Sequence, residues 1–430
     1  MPLSSDAPRT AILGAGALGL TTALRLAQRG ERVMVIEKEP LPGGLAAGFE
    51  IEPGMWLEKF YHHLFRSDRR AMGLIEELGL GDRLEWKAPV TATLRDGRMH
   101  QLDSPTSLLR FDPLSLPSRV RMGAALAALK AMPNPRLLEG HTAASWLRRV
   151  MGDEAYATVW EPLLRGKFGA TAEEIAMPWF WARVHDRTQQ LGYLRGGFQA
   201  LYERMADAVR TAGGETRFGT SVNQVRTVED GALEVETDDG AERFDRVVST
   251  FATRLTARLV PELPASWRER HEWGDAFGAH CVVLALDRPL TSVYWLNVND
   301  PGFPFMALVE HTNYRSSDEY GGRHLVYLGN YRPMSSPLFG ASLEDTLAEF
   351  LPSLARLNPA FDRSWVIGSW AFGAPLAQPI VTVDYRDHIP PFATPVPGLW
   401  VASMFQVYPH DRGQNYSIAL GERLVERLGA

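Results

Sequence analysis

The sequence predicts an α/β fold built from more than one domain, and three observations carry that expectation. A strand–helix–strand pattern with three spaced glycines opens the chain, between Thr10 and Glu39. A largely helical stretch runs from Leu102 to about Arg187. Between residues 261 and 384 apolar and polar residues alternate as they do in strands. At 430 residues the chain exceeds one ordinary core, so two or three domains are expected.

The opening segment is "TAILGAGALGLTTALRLAQRGERVMVIEKE". "AIL" is a short buried strand, Leu18 to Gln28 repeats at helical spacing, Gly30 can end the helix, and "RVMVIE" is a second strand ending at Glu37. Gly14, Gly16 and Gly19 form GxGxxG, and each has its own task. Gly14 makes the tight turn, Gly16 lets a pyrophosphate reach the backbone, and Gly19 lets the helix pack on the strand. The helix N-terminus favours the anion. Glu37 stands where a carboxylate accepts hydrogen bonds from a ribose. The pattern is a Rossmann-like dinucleotide unit, in which FAD and NAD are both possible ligands.

Composition excludes several other classes. Hydrophobic residues are 45% and charged residues 22%, as in a globular protein, and a net charge of −6 gives no bulk electrostatic case for nucleic acid. The single cysteine, Cys281, rules out an internal disulfide, a CxxC pair and a cysteine-rich metal site, and no metal is expected. "MPLSSDAPRT" lacks the apolar core of a signal peptide, and no run of about 18 apolar residues appears. A cytoplasmic protein is expected, with peripheral membrane contact left open. No second GxGxxG marks a nicotinamide domain, and no GxSxG elbow marks a hydrolase.

After the acidic residue comes "PLPGGLAAGFE", with a second glycine turn at Gly43 and Gly44. Further on, "GYLRGGFQALYERMADAVRTAGGETRFGTSVNQVR" leads from a glycine turn through an amphipathic helix to a strand. The chain ends on "GLWVASMFQVYPHDRGQNYSIALGERL", a buried strand, a crowded loop and a helix starting near Asn415. Together these stretches resemble the flavoprotein amine oxidase superfamily, in particular its protoporphyrinogen oxidase-like group, and more distantly carotenoid desaturases and UDP-galactopyranose mutases. The resemblance implies a discontinuous FAD-binding domain formed by 1–90, 192–260 and 385–430. A mainly helical subdomain would span 91–191, and a mixed-sheet substrate domain 261–384.

The same resemblance implies non-covalently held FAD, contacted by Gly14, Gly16, Ala17, Leu18, Gly19, Glu37, Lys38, Gly43, Gly44 and Leu45. It adds the backbone of Val222 at the adenine and, at the flavin end, Ser403, Gly413, Asn415 and Tyr416. Ser403-Met404 stand where many relatives carry Gly-Asp, so Ser403 would take the place of the aspartate. The last helix would point its N-terminus at the flavin pyrimidine, where its dipole stabilises negative charge. Gly413 would bring backbone close to the ring through its freedom in φ.

Candidates for chemistry are polar residues set among aromatics. "WLEKFYHHLFRSD" supplies Tyr61, His62 and His63 as groups that could tune the flavin or move a proton, and the closing loop supplies Arg412. Arg165 and Lys167 in "WEPLLRGKFG", with Glu310, His311 and Asn313 in "VEHTNY", are candidate contacts to a small-molecule substrate. The resulting expectation is an FAD-dependent oxidoreductase removing a hydride from a C–H bond of an organic, amphipathic substrate. The alternative is a redox-neutral flavin mutase or isomerase acting on a nucleotide- or lipid-linked sugar.

Overall fold

The computed structural model describes residues 8–272 and 276–429. Its first sheet is parallel and five-stranded, ordered Glu215–Phe218, Arg32–Glu37, Arg9–Leu13, Arg246–Ser249 and Leu399–Val401. The strands come from three separate stretches of chain. The two N-terminal strands are almost wholly buried, as expected when both faces of a parallel sheet are covered. On one face lies the helix Ala17–Gln28, whose buried residues cover nearly its whole circumference.

That helix packs against the last helix, Gln414–Leu428, through small residues. A Cβ on Gly421 would stand 3.0 Å from the Leu18 carbonyl oxygen. Further along, Arg29 Nη1 donates to the Val425 carbonyl at 2.8 Å. Gly421 lies over Leu18 and Val425 over Arg29, so the two helices run in the same direction. Gln414 is seven residues before Gly421, which carries the last helix about 10 Å past the start of the first.

The second sheet has seven strands, ordered Val366–Pro379, Ala276–Leu286, His324–Pro333, Ala307–Glu310, Trp295–Val298, Thr91–Arg95 and Arg98–Gln101. Residues 91–101, assigned from sequence to the helical stretch, therefore extend this sheet. Thr91–Arg95 pairs in parallel with Trp295–Val298, a partner about 200 residues away that no local pattern reveals. Helices begin at Pro105 and include Leu116–Ala131, Ala143–Met151, Glu161–Phe168 and Met177–His185. Thr142 caps the second of these four, its hydroxyl accepting from the Ser145 N–H at 3.2 Å. The tryptophans and leucines of this region form their own core around Trp179, Phe168 and Tyr156.

The strand that rejoins the parallel sheet is Glu215–Phe218. Val222 instead opens a three-stranded antiparallel sheet, two residues after Thr220 donates its N–H to the Glu37 carbonyl at 2.9 Å. No helix among the described residues is long and apolar enough to cross a membrane.

Candidate active site

The glycines at the N-terminus divide their work as the spacing requires. Gly14 has a φ of +105°, and a Cβ on Gly19 would lie 2.0 Å from the Gly14 carbonyl oxygen, so neither position accepts a side chain. Gly16 is different: a Cβ there meets no protein atom within 4 Å. Gly43 donates its N–H to the Ala15 carbonyl at 2.9 Å and pairs with Gly16, laying the second glycine turn beside the first. Glu37 receives the N–H groups of Ala15 at 2.8 Å and Glu39 at 3.0 Å, which fixes its carboxylate under the turn. Leu45 is half-buried, and Lys38 is exposed beside Glu39.

At the other end, Gln414 opens the last helix. Its side-chain oxygen accepts from the Tyr202 hydroxyl at 2.7 Å, and its side-chain nitrogen is buried with no partner among the described residues. A buried unpaired donor at a helix N-terminus suits a ligand oxygen or ring nitrogen. Several neighbours are committed elsewhere. Asn415 caps the helix Arg69–Glu77 by accepting from Arg70 N–H at 2.9 Å, and Tyr416 donates to Asp186 at 2.7 Å. Ser403 sits in a capping box with Gln406, donating its N–H to that side chain at 2.6 Å. Gly413 has a φ of 176°, extended backbone open to any residue, and a Cβ there meets only Tyr416, at 3.7 Å. The expectation that Gly413 is needed for its freedom in φ is therefore corrected. What remains to its backbone is proximity.

Tyr61, His62 and His63 are half-buried, and the rings of Tyr61 and His63 pack against Trp295 of the second sheet. Gly329 makes room for Tyr61, since a Cβ there would lie 2.7 Å from its ring. The Tyr61 ring stands edge-on to Trp295, with centroids 4.8 Å apart. His62 donates Nδ1–H to the Phe60 carbonyl at 2.5 Å, which leaves Nε2 as a lone pair. Burial, with the Arg412 charge, lowers its pKa to about 4. Burial, then Arg187, lowers that of His63 to about 3. Both imidazoles are therefore neutral near physiological pH, able to accept a hydrogen bond but not to supply a charge.

A cluster of cations gathers around Asp411. Asp411 Oδ2 receives Lys167 Nζ at 3.1 Å and Arg183 Nη1, while Oδ1 receives Gln378 at 3.2 Å. Arg412 donates to the Tyr331 hydroxyl at 2.9 Å. Burial pushes the Tyr331 phenol up, but Arg412 and Lys167 outweigh it and bring its pKa down to about 8. Burial lowers Lys167 to about 8 despite Asp411. Burial and then Arg183 bring Arg187 down to about 9. Arg187 itself is exposed to solvent.

The fold thus gathers Tyr61, His62, His63, Lys167 and Arg412 at one place. Arg165 lies apart, paired with Glu161 at 2.8 Å on an exposed helix face. Glu310, His311 and Asn313 pin a loop. Glu310 accepts the N–H groups of Leu290 at 2.9 Å and Thr291 at 2.6 Å, and Asn313 donates to the Val293 carbonyl at 2.7 Å. His311 meets the Tyr320 hydroxyl at 2.7 Å. Arg183, Arg187 and Tyr331 went unnoticed in the sequence. Arg183 stands in the last turn of the helix Met177–His185 and Arg187 beyond its end, so no helical spacing links the two.

Burial lowers the His311 pKa to about 3 from an ordinary 6.5. The unfolded chain takes up that proton as pH falls below about 6.5, while the folded chain refuses it until about 3, so stability drops across that window. His311→Gln is expected to flatten the acid side of a melting-temperature profile relative to the parent. Parallel profiles would show that His311 titrates alike in both states.

The two glycine turns beside a parallel sheet define a class, the proteins with a Rossmann-like dinucleotide unit. The chain belongs to the flavin containing amine oxidoreductase family, whose model matches residues 19–410. Among curated relatives it is 23% identical over 282 residues to 15-cis-phytoene desaturase of Capsicum annuum, covering 60% of this chain and 48% of that one. The chain thus spans about half the length of the curated relatives it matches. A solved structure assigned as a protoporphyrinogen oxidase, from Exiguobacterium sp. 255-15, superposes with a TM-score of 0.78 at 20% identity, covering 99% of both chains. Reduced UDP-galactopyranose mutase superposes at 0.76 with 14% identity, covering 98% of this chain and 95% of that one. At such identities the likeness is one of fold.

Proposed function

We propose that the protein binds FAD non-covalently and removes a hydride from a C–H bond of an organic, amphipathic substrate. The observation that supports this most is the pair of parallel helices. Both N-termini point the same way, staggered by about 10 Å, one behind the bare Gly16 and the other ending in the unpaired donor of Gln414. That stagger suits an extended dinucleotide whose pyrophosphate lies at the first helix and whose ring lies at the second. In this reading the backbone of Gly14 to Gly19 and of Gly43–Gly44 holds the phosphates, Glu37 the ribose, and Val222 the adenine by its backbone. Gly413 and Gln414 meet the ring. When bound, FAD supplies the hydride acceptor. The chain's part is to hold the substrate against the aromatic wall, exclude water, and offer His62 Nε2 as a neutral acceptor. Cys281 is buried in the sheet, and burial pushes its thiol pKa up, so it is not suited to a covalent link.

The purified protein is expected to be yellow, and acid precipitation is expected to release FAD into the supernatant. Colour kept in the pellet, or FMN in the supernatant, overturns the cofactor assignment. A second reading, a redox-neutral mutase, draws on the cation cluster around Asp411, which suits a phosphorylated substrate. Anaerobic mixing separates the two. Hydride removal bleaches the flavin in proportion to substrate, whereas a mutase turns over only after the flavin has been reduced beforehand.

A further inference from the structure

The helix Leu116–Ala131 is apolar on both of its faces. Met122, Ala125 and Leu129 are buried and pack into the core of the helical region. On the opposite side, at helical spacing, stand Leu116, Val120, Ala124, Ala127, Ala128 and Ala131, and all six are exposed. Leu109 lies beside the helix start, its carbonyl receiving Arg119 Nη1 at 2.8 Å, and Leu137 follows the helix end. Leu109, Leu116, Val120 and Leu137 are 51%, 60%, 56% and 71% exposed, and they make up half of the exposed large apolar side chains among the described residues. A surface helix normally turns a polar face to water, and one that is apolar all round has its second face covered.

Charge identifies the cover. Residues 104–138 carry Arg110, Arg119, Arg121, Lys130 and Arg136 against Asp112 alone, a net +4 in a chain of net −6. Arg119, Arg121 and Lys130 flank the apolar stripe and are held by backbone carbonyls. Arg119 Nε donates to Leu114 at 2.7 Å, Arg121 Nε to Val150 at 2.8 Å and Lys130 Nζ to His185 at 2.6 Å. A carbonyl fixes a cation in place without neutralising it. Glu154 sits at the helix start, engaged by the hydroxyls of Ser115 and Ser118. A two-fold dimer through this face would set the patch against its own copy, cations facing cations. The helix has 16 residues, about 24 Å, which is too short to cross the roughly 30 Å apolar layer of a bilayer.

We propose that the outward face of Leu116–Ala131, with Leu109 at its start, docks on an anionic lipid surface. The apolar stripe enters the headgroup boundary, and the flanking cations meet the lipid phosphates. The inference stands apart from the chemistry at the flavin, and it gives an amphipathic substrate a surface from which to reach the protein.

Vesicle co-sedimentation of the purified protein tests this. Vesicles of phosphatidylcholine mixed with phosphatidylglycerol are expected to bind it about ten-fold or more tighter than phosphatidylcholine alone, and added salt should weaken that binding. Leu116→Glu combined with Val120→Glu should lose about ten-fold or more. Both side chains point outward, and acids suit the first turns of a helix, so this variant should melt with the parent and keep its flavin. Arg110→Gln and Arg136→Gln should each lose about five-fold on the anionic vesicles and nothing on phosphatidylcholine. Ile367→Glu, as exposed as Val120 but on the second sheet, should change nothing. Val120→Cys carrying an environment-sensitive dye should shift to shorter wavelength on anionic vesicles, and Ile367→Cys should not. The natural Cys281 is buried and does not compete for the label.

Absence of vesicle binding overturns the proposal, as does equal binding to the two vesicles or full binding by the Leu116→Glu, Val120→Glu protein. A dimer that this double variant splits would make the face an interface between copies, and also overturns it. Capture of polyglutamate without binding to either vesicle would assign the cations to an acidic protein partner, with the same consequence.

Discussion

Gly16→Val is expected to give a folded protein without flavin. At this glycine φ is −75°, a value valine adopts freely, and a Cβ meets no protein atom within 4 Å. The fold therefore has no stake in the missing side chain. The proposed ligand does, because the space a side chain would fill is where a pyrophosphate approaches the helix N-terminus. Each charge-assisted hydrogen bond to the phosphates contributes about 1.5–3 kcal/mol, so losing two of them weakens FAD by about 100-fold or more. Flavin content per chain and the melting temperature read the two halves of this expectation. Gly19→Ala is the contrasting variant. Its Cβ would press to 2.0 Å from the Gly14 carbonyl, so it is expected to damage the fold itself. A folded Gly16→Val protein with full flavin content would show that the nucleotide lies elsewhere.

Asp411→Asn is expected to destabilise the protein by about 3 kcal/mol. The carboxylate is largely buried and draws together Lys167 from one helix, Arg183 from another and Gln378 from the second sheet. Removing its charge leaves Lys167 and Arg183 facing each other without a counter-ion, and an unpaired buried charge costs far more than an exposed ion pair gains. The melting temperature against the parent reads this expectation. An Asp411→Asn protein that melts with the parent would show that the cluster holds nothing together.

The sequence by itself determined the nucleotide-binding half of the protein. Strand, helix and strand between Thr10 and Glu37 are separated by short turns, and the glycines that shape them are neighbours in the chain. Local periodicity and local steric need therefore coincide there. The same holds for the last helix, expected near Asn415 and found to start at Gln414. Only the tertiary structure decided the rest. Residues 91–101 were placed by sequence in the helical subdomain, and only the pairing of Thr91–Arg95 with Trp295–Val298 makes them part of a sheet. Tyr61, Lys167, Arg187, Tyr331 and Asp411 come from five distant segments, and none carries a local mark of belonging with the others. Glu310 and His311 looked like a substrate site because polar residues in a row suggest chemistry. Once folded, they are consumed by the Leu290 and Thr291 amides and by Tyr320. Periodicity reports which face of an element is buried. What a buried polar group is paired with depends on contacts across the chain, as Asp411 shows by drawing on Lys167, Arg183 and Gln378 from three separate elements.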